Sequence, residues 1–312
     1  MIIVPIVAAA GLCMPKTSSR AITSPAGTAD TMEVLANVML TAQQMKRVVK
    51  KTNGCIVWGG SMNLAPADDK IIEVEHPLSL DVEGQMLASV MAKKASVGAT
   101  HVLIDIPQGP TAKCKSINEA IHLQHLFQSL GKNLGIKTNV LITNGSQPIG
   151  MGVGPFLESQ DIIRVLKNEE QASHDIKKKS IKMAGSILEM SGIKNGEKEA
   201  ASIIESGDAW KKIHQIIRAQ GEQENHYTLG QFHNDIKSTK TGRVHAINNE
   251  SISRIARIAG APEDKGAGLY LNKKVGDKVK KGETLFTIYT ENDFKMKYVC
   301  ELKKRLDGYI IR

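Results

Sequence analysis

The sequence has few of the residues on which several classes of protein depend. Aromatic residues make up only 4% of its 312 residues, which leaves little material for the stacking surfaces of proteins that bind single-stranded nucleic acid. The cysteines are widely spaced and form no Cys-x-x-Cys pair: Cys13, Cys55, Cys114 and Cys300. This spacing argues against a disulfide framework and a zinc site, and it predicts a reducing, cytoplasmic location.

Long hydrophobic runs are missing as well. Residues 2–12 are apolar, but the stretch is too short to span a bilayer, and without a basic segment ahead of it we expect no signal peptide. The net charge of +9 suits anionic ligands. Basic residues cluster at 177–179 and 303–305, which is typical of solvated helix surfaces. We therefore predict neither a membrane nor a nucleic-acid partner.

One segment, 16–33, is rich in groups that bind anions. It contains five hydroxyl side chains and an arginine ahead of a Gly-Thr step, and then Asp30 and Glu33. The spacing of these two acids is typical of a capping box, so we expect a helix to begin near Asp30. A hydroxyl-rich turn that leads into a helix N-terminus presents unpaired N–H groups and the positive end of the helix dipole. The segment predicts an anion site, with an ordinary capped loop as the alternative.

This segment, Ser-Ser-Arg-Ala-Ile followed by Pro-Ala-Gly-Thr-Ala-Asp, resembles the signature of the thymidine/pyrimidine-nucleoside phosphorylase family. The sequence of this motif is most similar to that of the longer branch, which holds type 2 thymidine phosphorylases and archaeal AMP phosphorylases. A second motif at 147–158, Gln-Pro-Ile-Gly-Met-Gly-Val-Gly and then Leu-Glu, is similar to the family's Gln-Pro-Leu-Gly…Val-Gly…Leu-Glu run. The resemblance extends along nearly the whole chain.

The resemblance implies a glycosyltransferase of pyrimidine salvage that cleaves a pyrimidine nucleoside reversibly with phosphate. The products are a free base and (deoxy)ribose 1-phosphate. Inorganic phosphate is then a co-substrate, and no cofactor or metal is implied. The implied partners are a small nucleoside or nucleotide and, because members of the family form dimers, a second copy of the chain.

Site residues follow from the resemblance, position by position. Asp81 aligns with the proton donor of the longer branch. The substrate and phosphate contacts carried over are Ser19, Arg20, Ala21, Ile22, Thr23, Ser24, Thr28, Ser89 and Lys113. Lys93 is a further candidate, because the shorter pyrimidine branch has Ser-x-x-x-Lys on the corresponding helix.

The same residues have simpler interpretations when each is taken alone. Asp81 would be a helix N-cap, and Lys113, in a loop after a predicted strand, would be a solvated lysine. Asp81 and Ser89 are a little over two helical turns apart, so they can share a face. His122 and His125 lie at helical spacing without an obvious third ligand, so we predict no metal site.

Other activities remain open at this stage. The arginine that contacts the base in the shorter branch has no match at 72–76; His76 could substitute as a donor or be structural. An AMP phosphorylase is the main alternative, because the sequence of the loop in segment 16–33 and Lys113 suit the 5′-phosphate of a nucleotide. Anthranilate phosphoribosyltransferase has a related architecture, but its diphosphate-loop motifs are missing. Family members also carry a long segment ahead of the first motif, so we expect the C-terminal part of a longer enzyme or an inactive, truncated member.

The predicted elements indicate an α/β fold. We expect a mixed sheet with flanking helices, a small helical subdomain contribution at about 66–96, and a C-terminal α+β barrel-like domain. The composition shifts near Asn234, which divides the chain into domains 1–233 and 234–312. Predicted helices cover 29–51, 81–94, 117–130 and 159–220 with a break at 191–196, and predicted strands cover 55–58, 99–106 and 136–142. Residues 275–285 resemble a half-repeat of lipoyl and biotinyl carrier domains, but the acceptor lysine is missing, so we interpret them as a packing module.

Overall fold

The N-terminal part of the chain forms a two-stranded parallel sheet packed against helices. The computed structural model describes residues 1–22, 24–61, 83–302 and 308–312. Helix α1 (Ile3–Ala9) precedes strand β1 (Met14–Ser18), which pairs in parallel with β2 (Gly54–Trp58). Side chains from distant parts of the chain are buried in one core, including Ile6, Met32, Ile56, Leu188 and Ile216. The apolar stretch 2–12 is thus largely a core helix that leads into β1.

The predicted helix over 29–51 is wrong, because the chain forms two shorter helices here. Helix α2 (Thr28–Glu33) begins after Gly27. Helix α3 (Ala42–Thr52) begins after Thr41, whose hydroxyl accepts from the backbone N–H of Gln44. The end of α3 is as predicted, with Asn53 in the left-handed conformation at a φ of 61°.

After α2 the chain turns at Val34 and Leu35, and residues 36–40 are not helical. Every second side chain is buried: Val34, Ala36, Val38 and Leu40. This alternation has the period of a strand. The backbone N–H of Trp58 donates to the carbonyl of Val38, and that of Asn37 donates to Gly221, both at 2.9 Å. Hydrogen bonds to distant residues therefore replace the helical ladder that the apolar spacing suggested.

A second parallel pair of strands follows. It comprises helix α4 (Glu83–Ala95), strand β3 (His101–Gln108), helix α5 (Ile117–Asn133) and strand β4 (Lys137–Asn144). Strands β3 and β4 run in register from His101 opposite Lys137. Met91, Phe127 and Val140 are buried in a core between the helices and this pair. The strands predicted at 99–106 and 136–142 are confirmed, with boundaries displaced by one or two residues.

Four helices connect this unit to the C-terminal part. The short strand β5 (Gly152–Val153) leads into α6 (Pro155–Leu166), α7 (His174–Met190), α8 (Gly196–Glu205) and α9 (Asp208–Gln220). The predicted break at 191–196 is confirmed. A Cβ on Gly196 would lie 2.1 Å from the carbonyl oxygen of Gly185, so the backbones of α7 and α8 approach each other as only glycine permits.

The C-terminal part is built from antiparallel strands and two helices. Its elements are β6 (Phe232–Lys237), β7 (Gly242–Ile247), α10 (Asn249–Ala259), β8 (Gly268–Leu271), β9 (Lys278–Val279), β10 (Thr284–Thr290), α11 (Asp293–Leu302) and β11 (Tyr309–Ile311). The strand orders are β5-β8-β10-β6 and β11-β7-β9. Over the described residues these two sheets do not close into a barrel, which corrects that part of the prediction. The α/β class with flanking helices is confirmed.

The division of the chain at residue 233 stays a prediction. Strand β5 belongs to the sheet of the C-terminal part although it precedes that boundary by about 80 residues in sequence. Much of the expected helical subdomain, 66–82, lies outside the described residues. None of the described helices is both long and apolar enough to cross a membrane.

Candidate active site

The loop after β1 is closed by one buried carboxylate. Asp30, only 2% exposed, accepts through Oδ2 from the backbone N–H of Ala21 at 2.7 Å and of Gly27 at 2.9 Å. A Cβ on Gly27 would lie 2.6 Å from the carbonyl oxygen of Ser19, so a residue without a side chain is needed there. These contacts hold the loop 19–27 against the start of α2.

The predicted capping box of Asp30 with Glu33 is wrong, because Gly27 is the N-cap and Asp30, at the third position of α2, accepts from the Gly27 N–H. Both acids also bind Arg20. The guanidinium of Arg20 donates to the two carboxylate oxygens of Glu33 at 2.7 and 2.5 Å, and to Asp30 Oδ1 at 3.1 Å. It also lies over the Trp58 ring, 5.2 Å from the ring centroid. Hydrogen bonds from Arg20 lower the pKa of Glu33 to about 2.

A lysine from the C-terminal part completes this cluster. Lys265 Nζ lies 2.8 Å from Glu33 Oε2 and 3.7 Å from Asp30 Oδ1. Two cations and two carboxylates therefore share one partly buried site. Nη1 of Arg20 contacts both acids and Nη2 contacts Glu33, so the guanidinium holds the loop against α2.

Two hydroxyls of the loop remain available. Ser19 is exposed and Thr28 is partly buried, and neither hydroxyl has a hydrogen-bond partner within the described residues. Ser24 Oγ donates to the Ala26 carbonyl at 3.1 Å. Ile22 is exposed, whereas Thr23 lies outside the described residues.

Lysines of β1 and α4 interact electrostatically. Burial, and then the charge of Lys94, lower the pKa of Lys16 to about 8. Burial, and then the charge of Lys93, lower the pKa of Lys94. Ser89 lies one helical turn before Lys93 on α4. A bound anion would offset this repulsion between the lysines.

A cleft of about 850 Å³ opens between the loops after β1 and β3 and helix α10. It brings together two predicted site residues, Ser24 and Lys113. Its other lining residues include Thr111, Lys115, Asn249, Glu250, Ser253, Arg254, Arg257 and Glu263. Ligands of open α/β folds bind at the carboxyl ends of strands, which is where this cleft lies.

Asn249 joins helix α10 to the loops of the α/β part. Its Nδ2 donates to the Gly145 carbonyl at 2.9 Å, and its backbone N–H donates to Thr111 Oγ1 at 3.3 Å. Its Oδ1 is buried and has no donor among the described residues. A buried acceptor without a donor costs about 1–3 kcal/mol.

The second motif connects the two parts of the structure. Glu158 accepts from the Gly154 N–H and from Thr31 Oγ1, each at 3.2 Å. Burial raises the pKa of this carboxyl to about 7. Lys274 donates to the carbonyl oxygens of Gly150, at 2.7 Å, and Pro148. The motif thus supports α2 and joins the C-terminal sheet, rather than contributing to the lining of the cleft.

No group of three or more His, Cys, Asp or Glu side chains is placed to hold a metal ion within the described residues. His122, one of the two histidines at helical spacing, has its Nε2 3.1 Å from Glu83 Oε1.

Comparison with known proteins identifies the family. Residues 2–210 match the Glycosyl transferase family, a/b domain. The chain belongs to this family. Residues 243–306 match the Pyrimidine nucleoside phosphorylase C-terminal domain, so this member of the glycosyl transferase family combines both. The resemblance drawn from the two motifs is thereby confirmed.

Relatives of this glycosyl transferase family member are longer than the chain itself. A protein of Legionella pneumophila (strain Paris), named "Putative thymidine phosphorylase", is 46% identical over all of this chain and 60% of its own length. A protein of Bradyrhizobium sp. (strain ORS 278) with the same name is 47% identical over all of this chain and 62% of its own length. The chain thus spans about three fifths of these relatives.

Solved structures show the same fold. Anthranilate phosphoribosyltransferase from Thermus thermophilus superposes with a TM-score of 0.55 at 16% identity, over 70% of this chain and 72% of that one. The enzyme from Saccharomyces cerevisiae, in complex with PRPP and Mg, gives 0.52 at 13% identity, over 70% and 68% of the two chains. At these identities the likeness concerns the fold alone.

In this glycosyl transferase family member, the predicted site residues fall into three places. They are the loop 19–28, helix α4 with Ser89 and Lys93, and the cleft that Ser24 and Lys113 line. Asp81 lies outside the described residues. The sequence interpretation missed the lysine pair of Lys16 and Lys94, although both adjoin motif residues. It also missed Arg254 and Arg257, whose spacing on α10 is a signal that could have been noticed.

Proposed function

We propose that this protein is a pentosyl transferase of the thymidine phosphorylase type, which cleaves a pyrimidine nucleoside with inorganic phosphate. In this reaction the C1′–N bond breaks and its electron pair leaves with the base. A phosphate oxygen forms the new bond to C1′, giving a (deoxy)ribose 1-phosphate. The observation that carries the proposal is the closed loop 19–28 beside desolvated lysines, in a chain of this family.

The phosphate is proposed to bind between this loop and the lysines. The hydroxyls of Ser19 and Thr28 would donate to it, and Lys16 and Lys94 would supply positive charge. Holding phosphate below C1′ is largely a matter of position, and fixed cations stabilise the charge that moves during transfer. Arg20 acts in this scheme as a positioning residue, since it ties the loop to Glu33.

The departing base is proposed to receive its proton from Asp81, the residue that the family resemblance assigns to this role. Ser89 and Lys93 on α4 would contact the nucleoside, as would the backbone of Ala21 to Ser24. The Ala21 N–H already donates to Asp30. The carbonyl of Ala21 is therefore the backbone group left to bind a ligand. We further propose a cytoplasmic homodimer that needs no cofactor other than the co-substrate phosphate.

An AMP phosphorylase is the second candidate. The observation that favours it is the position of Lys113 in a cleft that other cations also line. A nucleotide has a 5′-phosphate that these cations could bind, whereas thymidine does not. In that case the products are adenine and ribose 1,5-bisphosphate.

The experiment is phosphorolysis by the purified chain, with thymidine, uridine and AMP offered separately, each with and without phosphate. Base release from thymidine or uridine that requires phosphate supports the first candidate, and release from AMP alone supports the second. No release from any substrate, while a longer relative such as the Legionella protein releases base in the same assay, contradicts an independent activity of this chain.

A further inference from the structure

Helix α10 presents one polar face to the cleft. The cleft is lined by its residues Asn249, Glu250, Ser253, Arg254 and Arg257. Spacings of three and four residues place these side chains on one side of the helix. The opposite side, with Ile252, Ile255 and Ala256, is buried in the C-terminal core. The apolar side of α10 therefore fixes which residues meet the loop after β3.

The charges around the cleft are unbalanced. Lys113, Lys115, Arg254 and Arg257 line it, against two carboxylates, Glu250 and Glu263. Within the part of the chain that the structure describes, none of these four cations forms an ion pair, although the two acids line the same cleft. Cations that line a concave surface, outnumber the acids there and form no ion pair attract an anionic ligand.

Asn249, in the lining of the cleft, carries an acceptor without a donor in the described part of the chain. Asn249 Nδ2 is engaged by the Gly145 carbonyl, which orients Oδ1, and this oxygen has no donor among the described residues. A ligand hydroxyl would supply one. Inorganic phosphate alone would leave much of a cleft of about 850 Å³ empty, so a larger ligand that carries both an anionic group and hydroxyls fits better.

We propose that this cleft binds a sugar phosphomonoester, with its phosphate on Arg254, Arg257 and Lys113 and a sugar hydroxyl on Asn249 Oδ1. The C-terminal part thereby contributes two arginines to substrate recognition. The assignment rests on the proposed function to the extent that Ser24 and Lys113 serve both. It extends that function by naming the residues that would distinguish a phosphorylated from an unphosphorylated pentose.

The test compares two double variants with the same charge change. Arg254→Gln with Arg257→Gln removes the cleft arginines. Lys46→Gln with Arg47→Gln removes two exposed cations of α3 that do not line the cleft. Calorimetric titration with ribose 5-phosphate, inorganic phosphate and ribose gives the dissociation constants for each protein. We expect the cleft variant to bind ribose 5-phosphate about tenfold or more weakly than wild type, and the α3 variant to bind it unchanged.

Each other outcome overturns the assignment. An equal loss in both double variants would mean that only net charge matters. Inorganic phosphate binding as tightly as ribose 5-phosphate, with the same loss in the cleft variant, would mean a free-anion site. Ribose binding as tightly as ribose 5-phosphate would mean that the phosphate group does not contribute to binding.

Phosphorolysis of thymidine, measured on the wild type, separates this inference from the proposed function. Phosphorolysis without binding of ribose 5-phosphate contradicts the inference alone. Binding that depends on Arg254 and Arg257, without phosphorolysis of any nucleoside, contradicts the proposed function alone.

Discussion

Arg20 and Glu33 form a bidentate ion pair across the loop that follows β1, with N–O distances of 2.7 and 2.5 Å. The pair connects the residue after the Ser-Ser step to the last residue of α2, and so fixes the loop against the helix. Its partner Lys265 comes from the C-terminal part. The cluster therefore makes the loop dependent on both parts of the structure.

Replacing Glu33 by Gln is expected to lower the free energy of unfolding by about 2–3 kcal/mol at pH 7, because two cations lose their charged partner. The pKa of Glu33 is lowered from 4.5 to about 2 in the folded state. Its contribution is thus present above pH 4.5 and is lost as the pH falls toward 2. Urea unfolding from pH 7 down to pH 3 measures this. A difference between wild type and E33Q that stays constant over that range would contradict the pairing. Arg20→Lys, which keeps the charge but loses the fork geometry, is the companion variant.

Gly27→Ala is expected to open the loop. The added Cβ would meet the Ser19 carbonyl at 2.6 Å, and relief of such a contact requires a backbone shift that typically costs about 1–3 kcal/mol. Thermal unfolding and phosphate titration should both show a loss. The matched control is Gly84→Ala on α4, where an added Cβ meets nothing within 4 Å. A G27A protein with the stability and phosphate affinity of wild type would show that the loop is not closed as observed.

Glu158→Gln should change how stability depends on pH. Burial raises the pKa of Glu158 from 4.5 to about 7, so the folded state holds the proton more tightly than the unfolded state. Stability contributed by this group is full below pH 4.5 and is lost as the pH rises through 7. E158Q stays neutral, so the gap between E158Q and wild type should grow in favour of E158Q between pH 5 and 8. Chemical denaturation at those two pH values measures it, and a gap that does not change with pH would argue against a buried carboxyl here.

Lys16→Met should separate stability from binding. The pKa of Lys16 is lowered from 10.5 to about 8 by burial and by Lys94, so Lys16 is mostly charged at pH 7 but its charge costs free energy in the folded state. Methionine removes this penalty, and we expect a gain of about 1–3 kcal/mol in unfolding free energy. If the proposed phosphate site is right, phosphate affinity falls in the same variant. Lys50→Met on α3, where Lys50 is exposed, should change neither. A K16M protein that binds phosphate like wild type would remove Lys16 from the site.

Local patterns predicted those elements whose periodicity matches their burial. The strand at 55–58 and the helix ending at Asn53 were predicted from a buried apolar run and a left-handed stop. The error at 29–51 arose because Val34, Val38 and Met39 satisfy a helical spacing, while the structure buries every second residue from Val34 to Leu40. That choice depends on hydrogen bonds from Asn37 and Trp58 to distant partners, which no local window contains.

The sequence by itself determined the family and the loop that carries its signature, because motifs of fixed spacing require only neighbouring residues. The tertiary structure decided how those residues are used. It directed Arg20 to Glu33, exposed Lys16 to the charge of Lys94, and placed Arg254 and Arg257 in the same cleft as Lys113. Each of these relationships joins elements far apart in the chain. Their charge balance and desolvation arise only when the chain has folded.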